Sequence, residues 1–138
     1  MRVKYVKPYK LYFILGPLCM IIEVVGEVLM PKLLAMIIDY GMGNLRSVQK
    51  AFEFLGYEAV ITDSAETIAA ASHVILPGVG AFGDAAEKLR ATGLVDTLQN
   101  EAARGKPLLG ICLGMQMLFE KSFEYGEHEG LGLLKGRV

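Results

Sequence analysis

Four short apolar runs, separated by stretches of helical spacing, constrain this chain more than any other feature. Ala35-Met36-Ile37-Ile38-Asp39-Tyr40 reads as a buried first strand, ended by Gly41-Met42-Gly43-Asn44. Leu45, Val48, Phe52 and Leu55 then recur at helical intervals, with Gly56 as the stop. Glu58–Thr62 reads as a second strand. Asp63-Ser64-Ala65-Glu66 has the spacing of a capping box and opens a short helix through Ala71. His73–Leu76 is the third strand, closed by Pro77-Gly78-Val79-Gly80. Ala85–Arg90 and Leu94–Arg104 carry helical patterns, parted by Thr92-Gly93, and Gly105 precedes a fourth run, Leu108-Leu109-Gly110-Ile111. Strands alternating with helices predict an α/β fold: an open, mostly parallel sheet with helices on both faces. Ligands of such sheets bind beyond the carboxyl ends of the strands, where three loops fall here: Gly41–Asn44, Pro77–Gly80 and Cys112–Gln116.

The last of these carries the chemistry. In Gly110-Ile111-Cys112-Leu113-Gly114-Met115-Gln116 a cysteine ends the strand with glycine two positions away on either side, and Met115–Glu120 is expected to continue as a helix. This is the G-x-nucleophile-x-G arrangement of a nucleophile elbow. A sharp strand-to-helix turn puts the central residue into a strained backbone state, tolerable only where its neighbours lack bulky β-carbons. The sulfur is then exposed over a helix N-terminus, an environment that lowers a thiol pKa. A buried cysteine in a Gly-flanked loop satisfies the same pattern. Pro77–Gly80 is the natural partner, because acyl transfer needs backbone N–H donors aimed at the developing oxyanion, and glycine can turn an N–H inward. The second donor is the N–H of Leu113. Gly41–Asn44 lacks the G-x-G-x-x-G fingerprint of a phosphate loop.

Composition excludes some function classes. Fourteen basic and fifteen acidic residues give a net charge of −1, which points to no nucleic-acid partner. The two cysteines, Cys19 and Cys112, stand in unrelated contexts, so neither a disulfide framework nor a metal-ligand spacing is expected. A reducing compartment, the cytoplasm, is the default. No metal or cofactor is expected.

The first 35 residues differ in kind and are expected to form a separate hydrophobic helical segment before a domain over residues 36–138. Leu11–Met30 is almost continuously apolar, interrupted by Glu23 and Glu27, and follows Arg2, Lys4, Lys7 and Lys10. Twenty helical residues span about 30 Å, the thickness of a bilayer core, so residues 11–30 are a candidate membrane helix with its basic flank cytoplasmic. The two carboxylates, one turn apart, suit a helix that packs in a bundle; a soluble amphipathic helix is the other reading. Tyr5–Tyr40 resembles the start of the first membrane helix of ABC-type exporter permeases. The chain carries no Walker motif.

From Met36 to Val138 the sequence resembles class I glutamine amidotransferases, and among them the glutaminase subunits of imidazole glycerol phosphate synthase. Three segments carry the resemblance: Ile37–Val48, Leu76–Asp84 and Gly110–Gln116. It implies that Cys112 attacks the side-chain amide of glutamine, giving a glutamyl thioester and ammonia, and that water then releases glutamate. Gly78, Val79 and Gly80 would complete an oxyanion hole with Leu113, and Gln116 and Glu124 would hold the glutamine. Gly41, Met42, Gly43 and Asn44 would lie near the interface with a (β/α)8-barrel cyclase that receives the ammonia in histidine biosynthesis.

The chain departs from that family in two places. A cysteine nucleophile needs a base within hydrogen-bond reach, oriented by a third group. Relatives carry these in a His-x-Glu element downstream of the last residue here, and neither His73, opening a strand, nor His128, in a polar loop, is a good substitute. Residues 1–138 alone are therefore expected to turn over little glutamine, as an incomplete amidotransferase domain with an uncovered sheet edge. The exporter-like front suggests a chimera. A catalytically inactive membrane-anchored or interaction module is the competing reading.

Overall fold

A computed structural model of the chain describes residues 15–21 and 34–138. The polypeptide divides into two compact units, Met1–Lys32 and Leu33–Val138. In the first, residues 15–21 are helical and solvent-exposed, including Leu18, Met20 and Ile21. The rest of the 11–30 stretch, and with it most of the expected membrane helix, lies outside the described residues. Among the described residues no helix is long and apolar enough to cross a membrane.

The second unit follows the expected alternation. Its elements are β1 (Leu34–Ile38), α1 (Leu45–Phe54), β2 (Glu58–Thr62), α2 (Ala65–Ala70), β3 (His73–Gly78), α3 (Phe82–Ala91), α4 (Val95–Ala103), β4 (Leu108–Cys112) and α5 (Leu113–Gln116). Strands β5 (Phe119–Ser122), β6 (His128–Glu129) and β7 (Leu134–Arg137) follow. The first four strands form one parallel sheet in the order β2-β1-β3-β4. The chain leaves β1 for one side and returns on the other, so the strand order reverses between β1 and β3, where open α/β sheets leave a crevice at their carboxyl ends.

Alternate side chains serve the two faces. Ile38, Val74 and Leu76 join Ile68, Phe82, Ala85, Leu89, Leu98 and Leu113 in the larger core, under α2 to α5. Ile37 and Ile75 meet Leu45, Val48 and Phe52 of α1 on the other face. Ile37, Ile38 and Ile75 are almost wholly buried, and each such side chain contributes about 2 kcal/mol of hydrophobic stabilisation. Helix α1 starts because Asn44 Oδ1 accepts the Ser47 N–H (3.3 Å). It is tied to β2 by Gln49, whose Nε2 donates to the Ala59 carbonyl (2.8 Å). No residue of α1 is fully buried, so this face is thinly covered, and β4 is an edge strand with Leu109 half exposed.

Lys106 anchors the entry to β4. Its ammonium donates to the carbonyls of Ile68 (2.8 Å) and Ala69 (2.7 Å) in the last turn of α2, and pairs with buried Glu101 (2.7 Å). A cation at a helix C-terminus satisfies carbonyls that lack intrahelical donors. Glu101 also accepts from Arg104 (2.7 Å). The Lys106 hydrogen bond, followed by the charges of Lys106 and Arg104, holds the Glu101 carboxyl below its usual range against the opposing effect of desolvation.

Three local expectations change. The cap of α2 is Ser64, not Asp63: Ser64 Oγ accepts the Thr67 N–H (3.3 Å), shifting the helix start by one residue. Strand β3 runs on through Pro77 and Gly78, since Gly78 still pairs with Cys112 of β4. The helix expected over Met115–Glu120 is one turn, Leu113–Gln116, after which Phe119–Ser122 becomes the middle strand of a three-stranded sheet ordered β6-β5-β7. Tertiary contacts override the helical pattern here. Gly130 passes so close to the Phe119 carbonyl that a Cβ would clash, and its N–H bonds Glu120 O (2.8 Å).

Candidate active site

Cys112 is the last residue of β4 and the residue before α5, at φ 55° and ψ −119°. These angles mirror an ordinary extended conformation and place Cβ where an L-residue is crowded. Strain of this kind costs about 1–3 kcal/mol and persists only where the surroundings over-determine it. The surroundings are two glycines. A Cβ on Gly110 would collide with the backbone of Met115, and one on Gly114 would strike the Leu76 carbonyl. Helix α5 therefore folds back onto the ends of β3 and β4 at a separation only glycine allows, leaving the Cys112 side chain exposed. Because α5 has a single turn, it offers the first-turn N–H groups of Leu113 and Gly114 rather than a long aligned dipole.

A cleft of about 520 Å³ opens beside the sulfur, lined by Gly80, Cys112, Leu113, Gln116, Ser122, Phe123, Glu124 and Val138. Five sequence-derived candidates thus meet in one cleft: Cys112, Leu113, Gln116, Glu124 and Gly80. Gly78 is buried behind it, close against Gly114, since a Cβ there would stand 2.7 Å from the Gly114 nitrogen. Val79 is half exposed and does not line the cleft. Gly80, at φ 93°, makes the turn from β3 toward α3.

Glu124 has a second attachment. Its Oε2 accepts the N–H of Phe82 (2.8 Å), the first residue of α3, whose N-cap Ala81 provides no side-chain acceptor. The carboxylate thereby joins the β5 exit to the loop after Gly80, and it complements the positive end of α3. Ser122 and Phe123 were missed because the helix expected over Met115–Glu120 runs into the first half of β5 and hides the strand. The visible signal was Glu124, two residues beyond Ser122. Two cations approach the Phe123 ring, with Lys121 Nζ 5.9 Å and the Arg137 guanidinium carbon 5.7 Å from its centroid.

The Gly41–Asn44 loop lies against the Pro77–Gly80 loop. A Cβ on Gly43 would stand 3.4 Å from Pro77 Cβ, and one on Gly80 3.2 Å from Met42 Cε. Asp39 Oδ1 accepts the Gly41 N–H (3.1 Å), and the Asn44 side chain is occupied in capping α1.

Neither histidine lines the cleft. His73 stands at the opposite end of β3 from Gly78, its Nδ1 3.0 Å from Ser72 Oγ. His128, in β6, packs its ring against Gly83 beside a neighbouring polar cleft that also includes Glu124.

A parallel sheet whose edge strand ends in a strained, exposed cysteine, with a one-turn helix folded over it, defines the nucleophile-elbow class of α/β proteins. The model of the CobB/CobQ-like glutamine amidotransferase domain family matches residues 34–138, and the chain belongs to that family. Among curated relatives it is 55% identical over 103 residues to the imidazole glycerol phosphate synthase subunit HisH of Aquifex aeolicus, and 62% identical over 102 residues to that of Rhodopirellula baltica. Each alignment covers 74% of this chain and 50% of the relative, so the chain spans about half the length of the curated relatives it matches. A solved glutamine amidotransferase superposes with a TM-score of 0.63 at 25% identity, over 74% of this chain and 54% of that one. A putative peptidase E from Listeria monocytogenes, 15% identical, shares the fold at the same TM-score. Residues 1–33 lie outside the family match.

Proposed function

We propose that residues 34–138 form the nucleophile-bearing part of a glutaminase subunit of imidazole glycerol phosphate synthase. The observation that carries this reading is the conformation of Cys112 at the mouth of a cleft shared with Gln116 and Glu124. The identity to the HisH relatives supports the choice of reaction. In it, the Cys112 sulfur attacks the side-chain carbonyl of glutamine, and the oxyanion is met by the Leu113 N–H and by backbone of the Gly78–Gly80 loop. Collapse expels ammonia and leaves a glutamyl thioester, which water hydrolyses to glutamate. Gln116 and the free carboxylate oxygen of Glu124 hold the substrate's polar end.

Ammonia would pass to a (β/α)8-barrel cyclase docked near Gly41, Met42, Gly43 and Asn44; the approach of Gly43 to Pro77 and of Met42 to Gly80 supports a link between such a surface and the proposed oxyanion loop. An exposed free thiol suits the reducing cytoplasm. Among the described residues no histidine lines the cleft, so the group that takes the thiol proton and delivers it to the departing amide nitrogen is not His73 or His128.

The test isolates the first step. The chloromethyl ketone analogue of glutamine alkylates a thiol with loss of HCl and needs no protonated leaving amine. Incubated with the full chain, it should label Cys112 well ahead of Cys19, and excess glutamine should slow the labelling while asparagine does not. Equal labelling of both thiols without protection by glutamine overturns the reading.

A further inference from the structure

Tyr40 is not among the residues that line the cleft, yet its hydroxyl stands where three parts of the site converge. It follows β1, is buried, and donates from Oη to the carbonyl of Pro77 (2.8 Å). The same oxygen lies 3.8 Å from the sulfur of Met117, the C-cap of α5. It also closes the space beside Gly78, where an added Cβ would stand 2.7 Å from it and 2.7 Å from the Gly114 nitrogen. Exit of β1, end of β3 and the helix behind Cys112 therefore share one hydroxyl.

The acceptor matters more than the count of contacts. Pro77 O and the N–H of Gly78 belong to one peptide unit, and the described residues contain no cis peptide. In a planar trans peptide the carbonyl and the N–H point in opposite directions, so fixing one fixes the other. Holding Pro77 O on the Tyr40 hydroxyl therefore also fixes the direction of the Gly78 N–H, at the residue that pairs with Cys112 of β4. Proline leaves position 77 with no N–H of its own, which removes a competing ladder bond on that residue. Burial pushes the phenol up to about 12, so Tyr40 remains a donor across the working pH range.

We propose that Tyr40 is a positioning residue of the cysteine site, clamping the Pro77–Gly78 peptide so that the loop through Gly80 presents its backbone to the oxyanion formed on Cys112. The proposal rests on the acyl-transfer reading above and adds to it a residue that touches no substrate atom. Tyr40→Phe keeps the ring and deletes only the clamp.

Two reagents distinguish this role from general loosening. Iodoacetamide alkylates a thiolate by direct displacement and has no use for an oxyanion hole, whereas the chloromethyl ketone analogue of glutamine reacts through a tetrahedral oxyanion. In Tyr40→Phe the rate of Cys112 labelling by the ketone should fall about tenfold, less than the 10²–10³ lost when an oxyanion donor itself is removed. The iodoacetamide rate should stay within about twofold, and circular dichroism should show the same secondary structure. An unchanged ketone rate overturns the proposal, and so does an equal fall with both reagents. Wild-type labelling that glutamine does not slow overturns the glutaminase reading, and this role with it. Glutamine-protected wild-type labelling with an unaffected Tyr40→Phe overturns the clamp alone.

Discussion

Replacing Cys112 by glycine should stabilise the fold relative to replacing it by alanine, the reverse of the usual order. Both substitutions remove the thiol, and Cys112 is exposed, so loss of its packing is common to the two and cancels in the comparison. At an ordinary site glycine is worse than alanine by about 0.5–1 kcal/mol, because the unfolded chain gains freedom. At φ 55° and ψ −119°, however, alanine keeps the Cβ crowding, which costs about 1–3 kcal/mol, while glycine is free of it. The difference leaves Cys112→Gly about 0–2.5 kcal/mol more stable than Cys112→Ala. The midpoint, about 1.2 kcal/mol, corresponds to about 5 °C in Tm for a domain of this size. Urea unfolding of the two variants, followed by far-UV circular dichroism, measures the difference directly, with equal slopes as the check that the unfolded states match. A glycine variant less stable than the alanine variant by the ordinary penalty would refute the strained elbow.

Three further outcomes follow from particular contacts. Gly114→Ala should destabilise by about 1–3 kcal/mol, since its Cβ meets the rigid Leu76 carbonyl rather than a movable side chain; denaturant midpoints check this. Glu124→Ala should cost about 1 kcal/mol through the uncapped Phe82 N–H and also abolish glutamine protection of Cys112, whereas Glu124→Gln, which keeps an acceptor, should retain most of the stability. The Glu101 carboxyl is held below its usual range when folded, so its stabilisation is complete above the unfolded carboxylate pKa and is lost as pH falls through the lower folded value. Glu101→Gln should therefore flatten the acid limb of a stability–pH profile while lowering the plateau at neutral pH, and an unaltered acid limb would count against the Lys106–Glu101 pair.

What was legible in the sequence was whatever depends on local pattern. Glu58–Thr62 and the stop at Gly56 needed only periodicity and a residue free to take φ 82°. The elbow was legible because its steric requirement is written into Gly110 and Gly114. Elements set by distant partners were not. Phe119–Ser122 has no strand signature of its own and becomes a strand because β6 and β7 pair with it. The cleft wall formed by Ser122 and Phe123 was invisible for the same reason. The function of Glu124 divides similarly: a carboxylate near the cysteine could be expected from resemblance, but its bond to Phe82, forty-two residues away in sequence, could not.

The same distinction explains why the site is built around backbone. An oxyanion is met by N–H groups, and those are placed by the turns that carry them rather than by side-chain identity. Here the turns are over-determined from three directions. Gly114 lets α5 reach the Leu76 carbonyl, Glu124 fixes the Phe82 end of the loop after Gly80, and Tyr40 holds its Pro77 end. Between the two clamps lie Gly78, Val79 and Gly80, of which Val79 is half exposed and Gly80 rests on Met42. A loop pinned at both ends, with Val79 half exposed and Gly80 against Met42, can respond to whatever presses on Gly41–Asn44. If the proposed cyclase docks on Gly41–Asn44, Met42 is the residue through which it would reach the proposed oxyanion loop. Met42→Ala should weaken that transmission and leave both clamps in place: a partner-dependent gain in ketone labelling of Cys112 would shrink, while the labelling rate without a partner would hold. Loss of the partner-free rate instead would mean that Met42 supports the loop itself.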